Sequence, residues 1–208
     1  MGKHRIILSP GHGGINPATG KYVTSGKRSF HPVDGAVYYE GVENRLIAKE
    51  WAKILRNNGY EVVFTVDPDD FRDVSLSERV RIANKFHAEK PSLLFPIHSN
   101  GVTSPHAHGH EVFTSPGETN SDHLAKFWIQ EFESSFPDIH IRKDLTDGFP
   151  DKEANFTEII QTHCPAVYLE LLFHTNDKEV RILRDWKFRL QTGLAMVRAI
   201  KSYERWSK

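Results

Sequence analysis

The chain carries the same junction twice, and that repetition limits the folds open to it more than any other feature. Ile6-Ile7-Leu8 is an apolar, β-branched run halted by Ser9-Pro10-Gly11-His12-Gly13-Gly14, and Leu93-Leu94-Phe95-Pro96-Ile97 is halted by His98-Ser99-Asn100-Gly101. Short apolar runs bounded by glycine and proline read as buried strands. Between them the period changes to that of a helix. Leu46, Ile47, Trp51, Ile54 and Leu55 form one apolar face over residues 40–58, and Gly59 stands where it can end the helix. Further strands are expected at 60–65, around Glu111-Val112-Phe113 and at Ala166-Val167-Tyr168-Leu169. Further helices are expected at 76–89 behind the capping Ser75, from Asn120 or Ser121 to 134, over a short span 155–162, and over 177–206. Alternating strands and helices argue for an α/β fold, a single twisted, mostly parallel sheet of about six strands with helices on both faces. No internal repeat, low-complexity tract or linker divides residues 1–208, so one domain is expected.

Composition narrows the function by exclusion. Lysine plus arginine and aspartate plus glutamate each number 27, so charge balance gives no case for nucleic acid or an anionic membrane surface as partner. Cys164 is the one cysteine, which rules out an intramolecular disulfide and a cysteine-rich metal site. No apolar run approaches the length of a membrane span, and Met1-Gly2-Lys3-His4 leads straight into the first strand without a signal-like region. With 12 histidines in the chain, only the placement of a histidine carries information.

Placement is where the pattern becomes chemical. In open α/β sheets ligands bind at the carboxyl ends of the strands. His12, His98 and Glu170 stand at or near the ends of three expected strands, and Glu40 opens the helix after the first. Two imidazoles and a carboxylate are a ligand set for catalytic zinc, and a further carboxylate can serve as general base. Spacing leaves open which carboxylate does which job. Glu40 at a helix start has a fixed direction suited to ligation. Glu170 lies among Leu169, Leu171, Leu172 and Phe173, where desolvation raises a carboxyl pKa and suits it to proton transfer. Plainer accounts exist for each: an exposed loop histidine, a helix-terminus acid at Glu40, and a Glu170 paired with an arginine such as Arg79. His106, His108 and His110 read as a strand edge entering Glu111, not as a second metal site. Residues 13–39 show no regular period and are long for a connection, which suggests a lid or binding loop offering Lys21, Tyr22, Lys27 and Arg28 to an extended polar substrate.

These motifs, taken together, resemble the zinc-dependent N-acetylmuramoyl-L-alanine amidases of the amidase-3 type, from Ile6 to about Tyr203. Gly11-His12-Gly13-Gly14 resembles the family's opening turn, and Glu40-Gly41-Val42-Glu43-Asn44 its second ligand element, a register that selects Glu40 over Glu43. Leu76, Arg79, Ala83 and Asn84 follow its next pattern, Pro96-Ile97-His98-Ser99-Asn100 its third ligand element, and Gly109-His110-Glu111-Val112-Phe113 the strand after it. The segment from Val167 through Glu170 to Asn176 matches the element that carries its catalytic glutamate. Leu172 departs from the usual glycine and Val66 from a common arginine, and the loop before Glu40 is longer.

The resemblance implies zinc held by His12, Glu40 and His98, with Glu170 catalytic, and hydrolysis of the amide between N-acetylmuramic acid and L-alanine in peptidoglycan. Two other readings are a zinc peptidase or carboxypeptidase acting on the stem peptide, and a peptidoglycan-binding module without turnover. Peptidoglycan is the expected partner, with neither nucleic acid nor membrane insertion. The expected place of action is the cell wall, reached either as a phage endolysin released from the cytoplasm or as a secreted enzyme whose leader has been removed. Only residues 114–119 separate the strand at 111–113 from the next helix, so the inhibitory helical insertion of the family's periplasmic members is not expected.

Overall fold

The computed structural model describes residues 2–31 and 35–208. β1 (Arg5–Pro10) is followed by two small hairpins, β2 (Ile15–Asn16) with β3 (Lys21–Tyr22) and β4 (Arg28–His31) with β5 (Ala36–Tyr39). Then come α1 (Glu40–Asn57), β6 (Val62–Phe64), α2 (Leu76–Glu89), β7 (Ser92–Asn100), β8 (Glu111–Thr114) and α3 (Asn120–Ser135). The chain continues through β9 (Lys152–Glu153), α4 (Thr157–Ile160), β10 (Tyr168–Phe173), α5 (Asp177–Arg184) and α6 (Trp186–Trp206).

The main sheet has six strands in the order β6-β1-β7-β10-β8-β9. The first four are mutually parallel, β8 is antiparallel to β10, and β9 is parallel to β8. Side chains alternate across a strand, and β1 shows the consequence. Ile6 and Leu8 pack into the larger core with Trp51 of α1, Trp128 of α3 and Met196 of α6, whereas Ile7 enters a smaller core with Ala83 of α2 and Ile159 of α4. The sheet is therefore covered on both faces, which is why β1 and β7 are apolar almost throughout. Gly193 lets α6 approach α1: a Cβ there would lie 2.5 Å from Ile54 Cδ1.

The expected architecture is the one found, with differences at particular places. Residues 177–206 form two helices, not one. Asp185 is extended (φ −70°, ψ 123°), ends α5 and caps α6 by accepting from Lys187 N. The cap of α3 is Thr119, in a reciprocal capping box with Asp122, one residue before the expected candidates. The short helix expected over 155–162 is reduced to α4. Leu46 is exposed, so the buried stripe of α1 runs through Ile47, Trp51, Ile54 and Leu55 without it. Trp186 is also exposed, although it falls on the apolar spacing of Leu183, Leu190 and Leu194 that places the last helix against the core. The irregular loop expected over 13–39 contains the two hairpins, too short for a period to register. No described helix is long and apolar enough to cross a membrane.

Candidate metal centre

His12 projects just beyond the carboxyl end of β1 in an unusual backbone state. Its φ is +64°, the only positive value among the described non-glycine residues. Such a conformation costs of order 1–3 kcal/mol unless its surroundings enforce it. Here two buried arginines converge on the His12 carbonyl, Arg45 Nη1 at 2.6 Å and Arg79 Nη2 at 3.3 Å. Arg45 also donates to Gly41 O at 2.9 Å, tying the turn to the first residues of α1, and Arg79 donates to Pro10 O at 2.7 Å. Glycine is required on both sides of this junction. A Cβ on Gly11 would lie 2.0 Å from His98 Cε1, and one on Gly41 would lie 2.0 Å from Gly13 O.

Glu40 is the first residue of α1 and is almost completely buried. Its Oε1 lies 3.0 Å from His98 Nδ1 and 3.2 Å from His12 Nε2, and accepts from Ser99 N at 3.3 Å. The two imidazole rings stand 4.9 Å apart and perpendicular. Burial disfavours the Glu40 anion, but the contacts with His12 and His98 outweigh it and hold the carboxyl well below the usual range. His98 stacks on Tyr168 at 4.5 Å, and burial pushes its pKa down to about 4 against the opposing pull of Glu40, leaving a neutral ring. An anionic carboxylate and a neutral imidazole are the protonation states that metal donors need.

The donor atoms also fit a metal by number and by what they lack. One donor atom from each of His12, Glu40 and His98 lies within 4.8 Å of the others. His12 Nε2, Glu40 Oε2 and His98 Nε2 are buried and find no hydrogen-bond partner among the described residues. Buried polar atoms are rarely left so. A divalent cation with nitrogen and oxygen ligands answers that deficit, and three protein ligands with space for a fourth is the pattern of a catalytic zinc site.

Glu170, third residue of β10, is the register partner of His98 on β7. Burial raises its carboxyl pKa well above the ordinary range, the negative Glu40 adds to this, and Lys27 opposes it. A cation among the three donors would reverse the sign of that neighbouring influence. Its Oε2 likewise lacks a partner among the described residues. Lys27, one of the cations expected to face substrate, is brought near Glu170. Its hairpin is fastened to the start of α5, where His31 Nδ1 meets Asp177 Oδ1 at 2.5 Å and Ser29 donates to the His174 carbonyl.

A cavity of about 350 Å³ adjoins His12 and His98, lined also by Asp73, Leu76, Arg79 and Glu158. Glu158, buried at 2% exposure, accepts from Ser9 Oγ at 2.5 Å; burial raises its pKa while the Arg79 charge opposes. Arg79 thus lies in the field of Glu158, not paired with Glu170 as one sequence reading had it. Sequence reasoning missed Glu158, which sits in a four-residue helix beyond an irregular stretch. It also missed Arg45, which reads as a solvated helix position. His106 and His108 line a different cavity, of about 780 Å³, with Phe30, His140 and Asn176. His110 is withdrawn into the core.

Residues 6–202 match the Amidase_3 family model, described as N-acetylmuramoyl-L-alanine amidase. The chain belongs to this family. Membership makes it an enzyme of the N-acetylmuramoyl-L-alanine amidase class. Its amidase relatives include AmiA of Escherichia coli (strain K12), 28% identical over 243 residues, covering 99% of this chain and 78% of the relative. They include also the probable cell wall amidase LytH of Staphylococcus epidermidis, 27% identical over 198 residues, covering 95% of this chain and 57% of LytH. Among solved structures, the N-acetylmuramoyl-L-alanine amidase of Clostridium difficile 630 superimposes with a TM-score of 0.79 at 24% identity, over 99% of this chain and 98% of that one, which shows the shared fold.

Proposed function

We propose that this amidase acts on peptidoglycan at the cell wall as one catalytic domain. It hydrolyses the amide between the lactyl group of N-acetylmuramic acid and L-alanine, with zinc held by His12, Glu40 and His98. The observation that carries the reading is the convergence of three donor atoms within 4.8 Å beside the in-register Glu170. Zinc supplies there an acidified water and a polarised carbonyl. Glu170 Oε2, buried and without a described partner, is the group that takes a proton from the attacking water. It returns that proton to the alanine nitrogen, because an amine cannot leave as an anion. Burial raises the proton affinity of Glu170 and the charge of Lys27 opposes it.

The test pairs zinc stoichiometry of the purified protein with mass spectrometry of digested peptidoglycan. Intact stem peptides bearing a free alanine amine, produced only by zinc-loaded protein, are the expected result. Cleavage inside the stem peptide would instead make the protein a peptidase. Full zinc occupancy without any product would make it a binding module.

A further inference from the structure

Glu170 occupies an awkward point in the sheet. The register between β10 and β7 holds at Leu169 and Glu170, then shifts before Phe173. A strand that bulges where a reacting side chain projects needs its backbone fixed by something other than the ladder.

The segment entering β8 supplies that bracing. Gly109 N and Phe173 N both donate to Glu179, at 2.7 Å each, which secures the far side of the irregularity. On the near side is His110, wholly buried and stacked on Phe132 at 4.2 Å. Trp128 Nε1 donates to His110 Nε2 at 2.8 Å. An indole nitrogen can only donate, so Nε2 must be the unprotonated nitrogen and Nδ1 must carry the hydrogen. His110 Nδ1 lies 2.9 Å from the carbonyl oxygen of Glu170 and therefore donates to it. Burial also pushes the ring's pKa down to about 4, so the neutral tautomer persists at physiological pH. The hydrogen-bond direction is fixed from α3 through to the backbone of Glu170.

We infer that His110 is a positioning residue for Glu170, with Trp128 setting its tautomer so that the imidazole clamps the Glu170 carbonyl and aims the carboxyl at the metal donors. The inference rests on the proposed role of Glu170. It assigns a task to the one member of the His106, His108, His110 series that is buried, and that task is neither metal binding nor surface chemistry.

Two conservative variants separate positioning from plain structure. In His110→Asn the carboxamide nitrogen falls near the place of Nδ1 and can still donate to Glu170. In His110→Gln the side chain reaches the place of Nε2 and can satisfy Trp128 but not Glu170. Zinc content and near-ultraviolet circular dichroism are measured alongside kcat and KM on soluble peptidoglycan fragments, with His110→Leu as the full deletion. The expected pattern is a loss of kcat of roughly ten- to a hundredfold in His110→Leu and His110→Gln. KM should stay within about twofold, zinc should be retained, and kcat should be largely restored in His110→Asn. Restoration by glutamine equal to that by asparagine, or a leucine variant with the parent kcat, would overturn the assignment. If His110→Leu does not fold, the asparagine–glutamine contrast still decides. A Glu170→Gln control that keeps its activity would count against the role of Glu170 itself, a failure distinct from either of these.

Discussion

His98 and Glu170 face each other in register on adjacent parallel strands, β7 and β10. Neighbouring strands lie about 4.8 Å apart, so the separation of the proposed metal donor and the proposed proton carrier is set by sheet hydrogen bonds, not by a loop. The two roles should therefore be separable by mutation. Glu170→Gln should retain zinc and lose turnover by roughly 10²–10⁴-fold. His12→Ala or His98→Ala should lose both. Metal analysis beside a dye-release assay on labelled cell walls distinguishes the two classes.

Arg79 and Glu158 meet through Ser9 next to His12, the hydroxyl accepting from Arg79 Nη1 at 3.2 Å and donating to Glu158 Oε1 at 2.5 Å. Removing the guanidinium would leave the carbonyls of Val74, Pro10 and His12 and the Ser9 hydroxyl short of a donor, which costs about 1–3 kcal/mol or more. Arg79→Met should be destabilised to that extent, and adding Glu158→Gln should reduce the loss only in part, because the backbone carbonyls stay short of their donor. Urea unfolding of the two single variants and the double variant reports the coupling. Strict additivity would show that the two groups do not interact.

The approach of Gly41 to Gly13 leaves no space for a methyl group against backbone. Gly41→Ala should lower stability by about 1–3 kcal/mol, as overpacking does. It should also weaken zinc binding, since the displaced residue adjoins Glu40. Gly20 provides the comparison: its added Cβ meets nothing within 4 Å, so Gly20→Ala should leave zinc affinity untouched, whatever its positive φ costs in stability.

A pH effect on stability is expected from Asp151, which is not part of the candidate metal centre. The Thr114 hydroxyl lies 2.6 Å from Asp151 Oδ2 and 2.7 Å from Asp122 Oδ1, and it has one hydrogen to share between them. A proton on Asp151 satisfies both contacts. Burial raises its pKa to about 6, with the charges of Asp122 and Asp147 adding to the effect and the Thr114 bond opposing it. The folded value is above the unfolded one, so the contribution is fully present below about pH 4 and is lost as pH rises through about 6. Asp151 lines a cavity of about 340 Å³, and solvent screening there leaves roughly 1–2 kcal/mol of the effect. Asp151→Asn should be more stable than the parent by that amount at pH 7.5 and about equal to it at pH 4. Urea titrations at the two pH values measure it.

What could be read from the sequence divides along physical lines. β1, β7 and α2 were legible because burial on a fixed period forces a residue pattern. The cluster of His12, Glu40 and His98 was legible because strand ends in a parallel sheet share an edge. The register of the family resemblance separated Glu40 from Glu43. The Asp185 break was hidden because apolar spacing continues across it while one extended residue interrupts the helix. Arg45, Glu158 and His110 were hidden for another reason. Each acts on backbone or on a buried hydroxyl far away in sequence, and such partners leave no local spacing to detect. Lys27 was visible as a loop cation, but its proximity to Glu170 depends on the anchoring of its hairpin by Ser29 and His31.

The close contact between Gly13 and Gly41 closes the entire excursion from β2 to β5 at its base, where Arg45 staples both ends. The hairpins are tied back to that neck, for Glu40 N donates to Lys27 O at 3.1 Å, Gly41 N to the Tyr22 hydroxyl at 2.9 Å and Gly13 N to Thr24 Oγ1 at 2.7 Å. Freedom to diversify is thereby confined to the outer turns, such as the one at Gly20 where an added Cβ meets nothing within 4 Å, and a graft meant to retarget the enzyme has to carry Tyr22, Thr24 and Lys27 with it.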